Sequence, residues 1–272
     1  MRLDLHVHST ASDGSCTPSE VVARAVAGGL DVIALTDHDT AGGVAEAVEA
    51  ARESALEVIP AAELSSSTPL GEIHILGYFL DPESEAMTEH RVRSRARREG
   101  RMRGMLERLT LQGVRVSYSQ VVAQLGGKDV APARPHLARA LVASGCVSSV
   151  PDAFARLIGD SSPAFLPTDI GTPTEAMETI RRAGGLPVWA HPDGRHLDLY
   201  LDAFVEEGLR GLEVYRPGTP QNRVEQLEAL ARGRNLLVTG GSDWHGPEQK
   251  RDLGDFFVES TEVEAFLCAG GL

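Results

Sequence analysis

Leu3-Asp4-Leu5-His6-Val7-His8, then Thr17-Pro18-Ser19-Glu20, then Val32-Ile33-Ala34-Leu35-Thr36-Asp37-His38-Asp39 decide the fold. The first and third stretches are short apolar runs closed by polar residues, as strands are. The second puts a hydroxyl at N-cap, proline at N1 and glutamate at N3, which is how a helix begins. Together they spell a β-α-β unit, and the same pattern recurs outside the middle third of the chain. Strands are expected at 3–7, 32–35, 58–61, 73–78, 186–189, 211–214 and 236–239. Thr172-Pro173-Thr174-Glu175 repeats the helix start, and Gly28-Gly29 and Gly184-Gly185 supply the left-handed residue that ends each helix. Seven strands in such units predict an α/β barrel.

Between 81 and 171 the strand signals lapse. Helices are expected at 83–111, 118–125, 136–144 and 152–158. The expected organisation is a discontinuous barrel, 1–80 with 172–272, interrupted by a helical insertion over 81–171.

The chain has 272 residues, 42% hydrophobic, 24% charged and 5% aromatic, which excludes disorder and collagen and calls for a core of Ala, Leu and Val. No apolar run reaches the ~18–20 residues that span a bilayer, and the first strand begins too near Met1 for a signal peptide, so a cytoplasmic protein is expected. Cys16, Cys146 and Cys268 are too few and too scattered for a disulfide framework or a thiolate metal site. The net charge of −13 disfavours general nucleic-acid binding. Arginine supplies every base except Lys128 and Lys250, and eight arginines crowd between Arg91 and Arg108. That run interleaves with Val92, Ala96, Met102, Met105, Leu106 and Leu109, and reads as an amphipathic helix with a basic outer face. A sharper reading has it overhang the active cleft and attract polyanions.

The chemistry-bearing residues gather at strand ends. His6 and His8 sit at i and i+2, so on a strand they point to one side and can share an ion. Asp13 follows in a Ser-Asp-Gly turn. Thr36-Asp37-His38-Asp39 closes the second strand, Glu63 follows the third, and His74 lies in the fourth. His191-Pro192 follows the fifth, and Ser242-Asp243-Trp244-His245 follows the last. Polar groups there are costly to bury unless they coordinate something. In a barrel those ends share one rim. Mixed imidazole and carboxylate donors suit zinc, manganese or iron better than magnesium or calcium. So many donors call for more than one ion, and hydrolysis of a phosphate ester is the natural chemistry. Tyr78, Tyr215 and Trp244 lie near strand ends, where core packing competes with stacking on a base.

These residues resemble, in order, the four motifs of the polymerase-and-histidinol-phosphatase (PHP) family of metal-dependent phosphoesterases, over nearly the whole chain. The resemblance implies a distorted (β/α)7 barrel and two to three divalent metal ions. It implies that His6, His8, Glu63 and Asp243 hold a first ion, that Glu63 bridges to a second with His74 and His191, and that Asp13, His38 and His245 hold a third. Asp13, His38 and His245 would also take part in catalysis, as would Arg134 and His136. Within the family, the insertion and Arg134-Pro135-His136 look like the subgroup acting on nucleotide phosphates, with Arg134 and His136 as phosphate contacts. The expected reaction is removal of the 3′-phosphate of a nucleoside 3′,5′-bisphosphate by a metal-bridging hydroxide. The alternatives are 5′-3′ cleavage of short single-stranded RNA, hydrolysis of histidinol phosphate, and a non-catalytic nucleotide-sensing module.

Overall fold

The first β-α-β unit forms as its sequence demands. In the computed structural model, which describes residues 1–127, 130–167 and 169–272, β1 (Arg2–Val7), α1 (Pro18–Ala27) and β2 (Val32–Leu35) lead into α2 (Val44–Ala51), β3 (Glu57–Thr68) and β4 (Gly71–Tyr78). Thr17 and Glu20 make a reciprocal capping box at the start of α1, and Gly29 adopts φ +69° after its end. After the middle third come α7 (Pro173–Arg182), again capped by a Thr172–Glu175 box, and β5 (Leu186–Trp189). The chain then runs through α8 (Gly194–Glu206), β6 (Gly211–Tyr215), α9 (Gln221–Arg232), β7 (Leu237–Gly240), β8 (Val258–Glu259) and α10 (Glu264–Gly270).

The seven expected strands are present, joined in one sheet of order β7-β6-β5-β4-β3-β2-β1-β8. The barrel is nearly closed by the segment after β7. Asp243 N–H donates to His6 O at 2.9 Å and His8 N–H to Trp244 O at 2.9 Å, sealing that segment against β1. Gly241 permits the approach, since a Cβ there would strike the His6 backbone.

Two departures from regular β-α repetition matter for the site. The two-residue strand β8, unforeseen in the sequence, adds antiparallel to β1. More important, β4 runs antiparallel to both neighbours, forming a hairpin with β3 that pairs Glu63 with Leu76 and Ser65 with His74. Strand β3 therefore continues to Thr68, seven residues beyond its expected end. Its second half, Glu63 to Thr68, is polar and so lacks the apolar signal of a buried strand. Because β4 is reversed, its early residue His74 lies at the rim where the parallel strands place their ends.

The middle third is helical: α3 (Glu85–Leu111), α4 (Tyr118–Val122), α5 (Arg134–Ala143) and α6 (Val150–Ala153), which continues into a π-helical turn, Phe154–Ile158. These helices pack around an interior of their own, including Met102, Met105, Leu109, Leu137, Leu141 and Ile158. The start of α3 packs Met87 into the apolar interior of the barrel, and one turn further the link becomes polar. On α3 the buried stripe contains His90, Ser94 and Arg98; His90 and Arg98 converge on Asp39 from the barrel, and Ser94 bonds His90. Arg98 Nε donates to Asp39 Oδ2 at 2.8 Å, His90 Nε2 lies 2.9 Å from Asp39 Oδ1, and Arg98 Nη2 donates to Ser65 Oγ at 2.7 Å. Arg98 and its partners hold the Asp39 carboxyl well below the usual range despite burial. Tyr78 and Trp244 are fully buried, so neither meets a base, and the Tyr215 hydroxyl donates to Glu228. Among the described residues no helix is long and apolar enough to cross a membrane.

Candidate metal centre

The strand ends deliver their side chains to one rim. His6 in β1 and His8 just beyond its end enter the cluster together, both fully buried. Asp37 does not join them: it accepts from Ser9 N–H at 2.8 Å and from Ser12 Oγ at 2.6 Å, which ties down the loop carrying Asp13. The three polar residues closing β2 thus divide their work, with Asp37 fixing a loop, His38 entering the cluster and Asp39 receiving α3. His191 and Asp243 enter from positions with φ +33° and +55°. Left-handed backbone at non-glycine residues is costly and collects at functional sites.

The spacing of donor atoms is informative. His6 Nε2 and His8 Nε2 each lie 3.2 Å from Glu63 Oε2, and they lie 3.5 and 3.3 Å from Asp243 Oδ1. A tetrahedral ion with bonds of about 2.0–2.1 Å sets its donors about 3.3 Å apart. These four atoms are therefore spaced as ligands of one ion. Among the described residues, His6 Nε2, both ring nitrogens of His8, His38 Nδ1 and Glu63 Oε2 are buried without a hydrogen-bond partner. Such orphaned groups are costly unless something else satisfies them, and a cation would.

Two further groups adjoin the first. His38, Glu63 and His74 form one, with His38 Nδ1 3.1 Å from Glu63 Oε2 and His74 Nδ1 2.7 Å from Glu63 Oε1. His191 Nε2 lies 3.0 Å from the same Oε1. The other is His8, Asp13, His38 and His245, in which His245 Nε2 lies 3.4 Å from Asp13 Oδ1. The nine residues thus form one continuous cluster: His6, His8, His38, His74 and His191 reach Glu63 directly, while Asp13, Asp243 and His245 join through His8 and its neighbours. His8 borders both the first group and this last one, and His38 adjoins two, a sharing that spacing in the sequence does not reveal.

The electrostatics keep the carboxylates in ligand form but leave His8 and His74 protonated, so that a cation must displace a proton from each. Burial opposes charge on Glu63, Asp13 and Asp243, yet the surrounding imidazoles overcome it and hold all three carboxyls well below their usual values. Burial pushes His38 down to about 4. His8 and His74 go the other way, to about 10, because neighbouring carboxylates outweigh their burial.

A residue absent from the sequence reading supports the first group. Glu213, fully buried in β6, accepts from His6 Nδ1 at 2.8 Å through one oxygen and from His191 N–H at 2.7 Å through the other. Holding the proton on Nδ1 leaves Nε2 free to coordinate. The one available signal was a carboxylate inside an apolar strand, Gly-Leu-Glu-Val-Tyr. Glu213→Gln is expected to weaken cation retention about 10- to 100-fold. Metal content after dialysis checks it; unchanged retention would remove Glu213 from this role.

Beside the cluster opens a cleft of about 150 Å³ whose walls include Asp13, His38, Arg98, Arg101, Arg134 and Phe154. Arg134, at the first turn of α5, lies over the Phe154 and Phe165 rings and pairs with the exposed Asp160. Arg101 donates through Nε to Leu166 O at 2.7 Å, while its Nη2 is buried without a hydrogen-bond partner among the described residues. Burial lowers it to about 10, which leaves it charged at neutral pH. Of the eight-arginine run, Arg98 and Arg101 face this cleft, and the sequence could not single them out. His136 does not line it. Its ring is 1% exposed, pushed down to about 4 by burial, and Nδ1 accepts the Ala133 N–H at 2.9 Å. A direct contact between His136 and substrate is therefore not what its burial permits. A second recess of about 290 Å³, walled by Pro135, Arg139, Val150 and His245, shares Asp13 with the first.

A nearly closed barrel with an imidazole and carboxylate cluster at its rim defines a metal-dependent phosphoesterase. Residues 4–119 match the PHP domain. The chain is 36% identical over 258 residues to a 5′-3′ exoribonuclease of Haemophilus influenzae, covering 93% of each. It is 33% identical over 259 residues to a 3′,5′-nucleoside bisphosphate phosphatase of Chromobacterium violaceum, covering 93% of this chain and 90% of that one. A crystal structure of a metal-dependent phosphoesterase from Bifidobacterium adolescentis superposes with a TM-score of 0.89 at 36% identity, over 98% of this chain and 95% of the other. The chain belongs to the PHP family.

Proposed function

We propose that this enzyme removes the 3′-phosphate of nucleoside 3′,5′-bisphosphates, using two to three divalent ions (manganese, zinc or iron) held by the nine rim residues. The observation that carries the reading is the placement of a half-buried guanidinium, Arg101, whose Nη2 has no hydrogen-bond partner among the described residues, with Arg134 beside the donor cluster. A pair of guanidiniums beside a cation-holding cluster suits a substrate with two phosphates, one for the arginines and one for the cluster. The likeness to a nucleoside bisphosphate phosphatase supports it.

When bound, the ions supply Lewis-acid stabilisation of the phosphoryl oxygens and lower the pKa of water near the phosphorus. The chain's own residues do the rest. His6, His8, Glu63 and Asp243 form the deepest group, His74 and His191 adjoin Glu63, and Asp13, His38 and His245 complete the cluster on the cleft side. Arg134 and Arg101 bind the phosphate that is not cleaved, Arg134 with its bidentate fork. His136 acts as a positioning residue, holding the start of α5 and so Arg134. In this reading 81–171 is an insertion that supplies recognition to a barrel made of 1–80 and 172–272.

A second reading, stepwise 5′-3′ removal of nucleotides from short RNA, is favoured by the likeness to the exoribonuclease and needs the same two anion sites. Parallel assays distinguish them: a nucleoside 3′,5′-bisphosphate, a 5′-mononucleotide, histidinol phosphate and a short 5′-phosphorylated RNA, each with and without chelator. The expected result is chelator-sensitive phosphate release, fastest from the bisphosphate. Equal and feeble rates on all four would overturn the assignment. Arg134→Ala is expected to raise KM for the bisphosphate about 10- to 100-fold, the loss of about 1.5–3 kcal/mol, with metal content retained. Unchanged kinetics would take Arg134 out of the site.

A further inference from the structure

On the flank of α3 nearest α7 lies a cavity of about 450 Å³, larger than either recess at the cluster and within the range that holds nucleotide-sized ligands. Arg93 and Arg97 reach it from α3 and Arg182 from the end of α7; Thr172 and Thr174 at the start of α7 line it near the positive end of the helix dipole, the Thr174 hydroxyl being engaged by Glu207. Two carboxylates also line it, and both are engaged. Glu175 accepts the Thr172 N–H at 2.8 Å to close the capping box, and Glu178 pairs with Arg181. The guanidiniums are less committed. Arg93 and Arg182 reach Glu89 only at 3.9 and 3.6 Å, as half-exposed pairs of the kind worth little, and Arg97 has no ion pair among the described residues. A basic cavity in a chain of net charge −13 is a local exception.

The floor ties it to the rest of the molecule. Ser65 and His90 line the cavity, and they are the groups that bond Arg98 and Asp39 on their other side. Arg98 in turn walls the cleft beside the cluster. The two openings are thus separated by one layer of side chains.

We infer that this cavity is a second, non-catalytic binding site for a phosphate-bearing small molecule of nucleotide size, gripped by Arg97, Arg182 and Arg93. Neither the cations nor the catalytic cleft enters into the binding, so it stands or falls apart from the phosphatase reading. Calorimetric titration of the purified protein with adenosine 5′-monophosphate, inorganic phosphate and adenosine tests it. The nucleotide should bind more tightly than phosphate, and adenosine should not bind. In Arg97→Glu/Arg182→Glu one nucleotide site should weaken at least about tenfold, as expected when charge-assisted bonds are replaced by repulsion, with kcat on the bisphosphate retained. Should the charge reversals lower the melting temperature, Arg93→Ala/Arg97→Ala gives the same reading with a milder change. An isotherm unaltered in both variants, or adenosine binding as well as its monophosphate, would overturn the site. Absence of turnover on every phosphoester, with the arginine-dependent isotherm intact, would refute the phosphatase reading alone.

Discussion

Glu63→Gln is expected to strip the cluster of its cations and to abolish useful turnover. One carboxylate lies within 3.2 Å of His6, His8, His38, His74 and His191, and it is 1% exposed. Glutamine has the same shape but no charge, and one end of its amide carries hydrogens that would point at imidazole nitrogens. Removing one member of a buried charged set costs about 3–5 kcal/mol. Charged to cation affinity, that is about two to four powers of ten. Elemental analysis of the purified variant with kcat on the preferred substrate checks it, and a melting curve separates loss of metal from loss of fold. A variant that kept both its metals and its rate would show that the cluster is held together by something other than Glu63.

The second large effect concerns stability. Asp39→Ala should unfold the protein more easily by about 3–5 kcal/mol, because Arg98 and His90, each 5% exposed, lose the carboxylate that compensates their burial. For a chain of this size each kcal/mol moves the melting temperature by roughly 2–4 °C, so a drop of about 10 °C is expected. Arg98→Met in the same chain should recover much of the loss, since an apolar side chain of similar volume no longer needs a partner. Denaturant titration of both single variants and the double variant isolates the coupling between the two residues. Strictly additive losses would mean that the pair does not dock the helix.

Most of the barrel, and the candidate donors that the structure gathers at one rim, could be read from the residues, for a physical reason. Imidazoles and carboxylates that follow apolar runs are conspicuous, because burying them unaided is so costly that a shared cation is the natural way to satisfy them. His6, His8, Glu63 and Asp243 are legible on that ground. The reversal of β4 was not, since side-chain alternation along a strand is identical in either direction. Glu213 escaped because it lies within a strand rather than at its end, and its importance comes from His6, more than two hundred residues earlier. Arg98 and Arg101 were hidden among similar neighbours: a run of eight arginines shows a basic helix but not which turn faces the cleft. His136 was overread for the converse reason, since adjacency to Arg134 in sequence says nothing of which side chain the helix start turns inward.

The helices of the middle third enclose their own interior, from Met102 to Ala164, and meet the barrel through Asp39 and Arg98. Volume changes among Leu137, Leu141 or Ile158 would therefore reshape the approach to the cleft without disturbing the imidazoles that face Glu63. Preference for one phosphorylated compound over another can drift through such replacements while the capacity to break the ester bond is inherited intact.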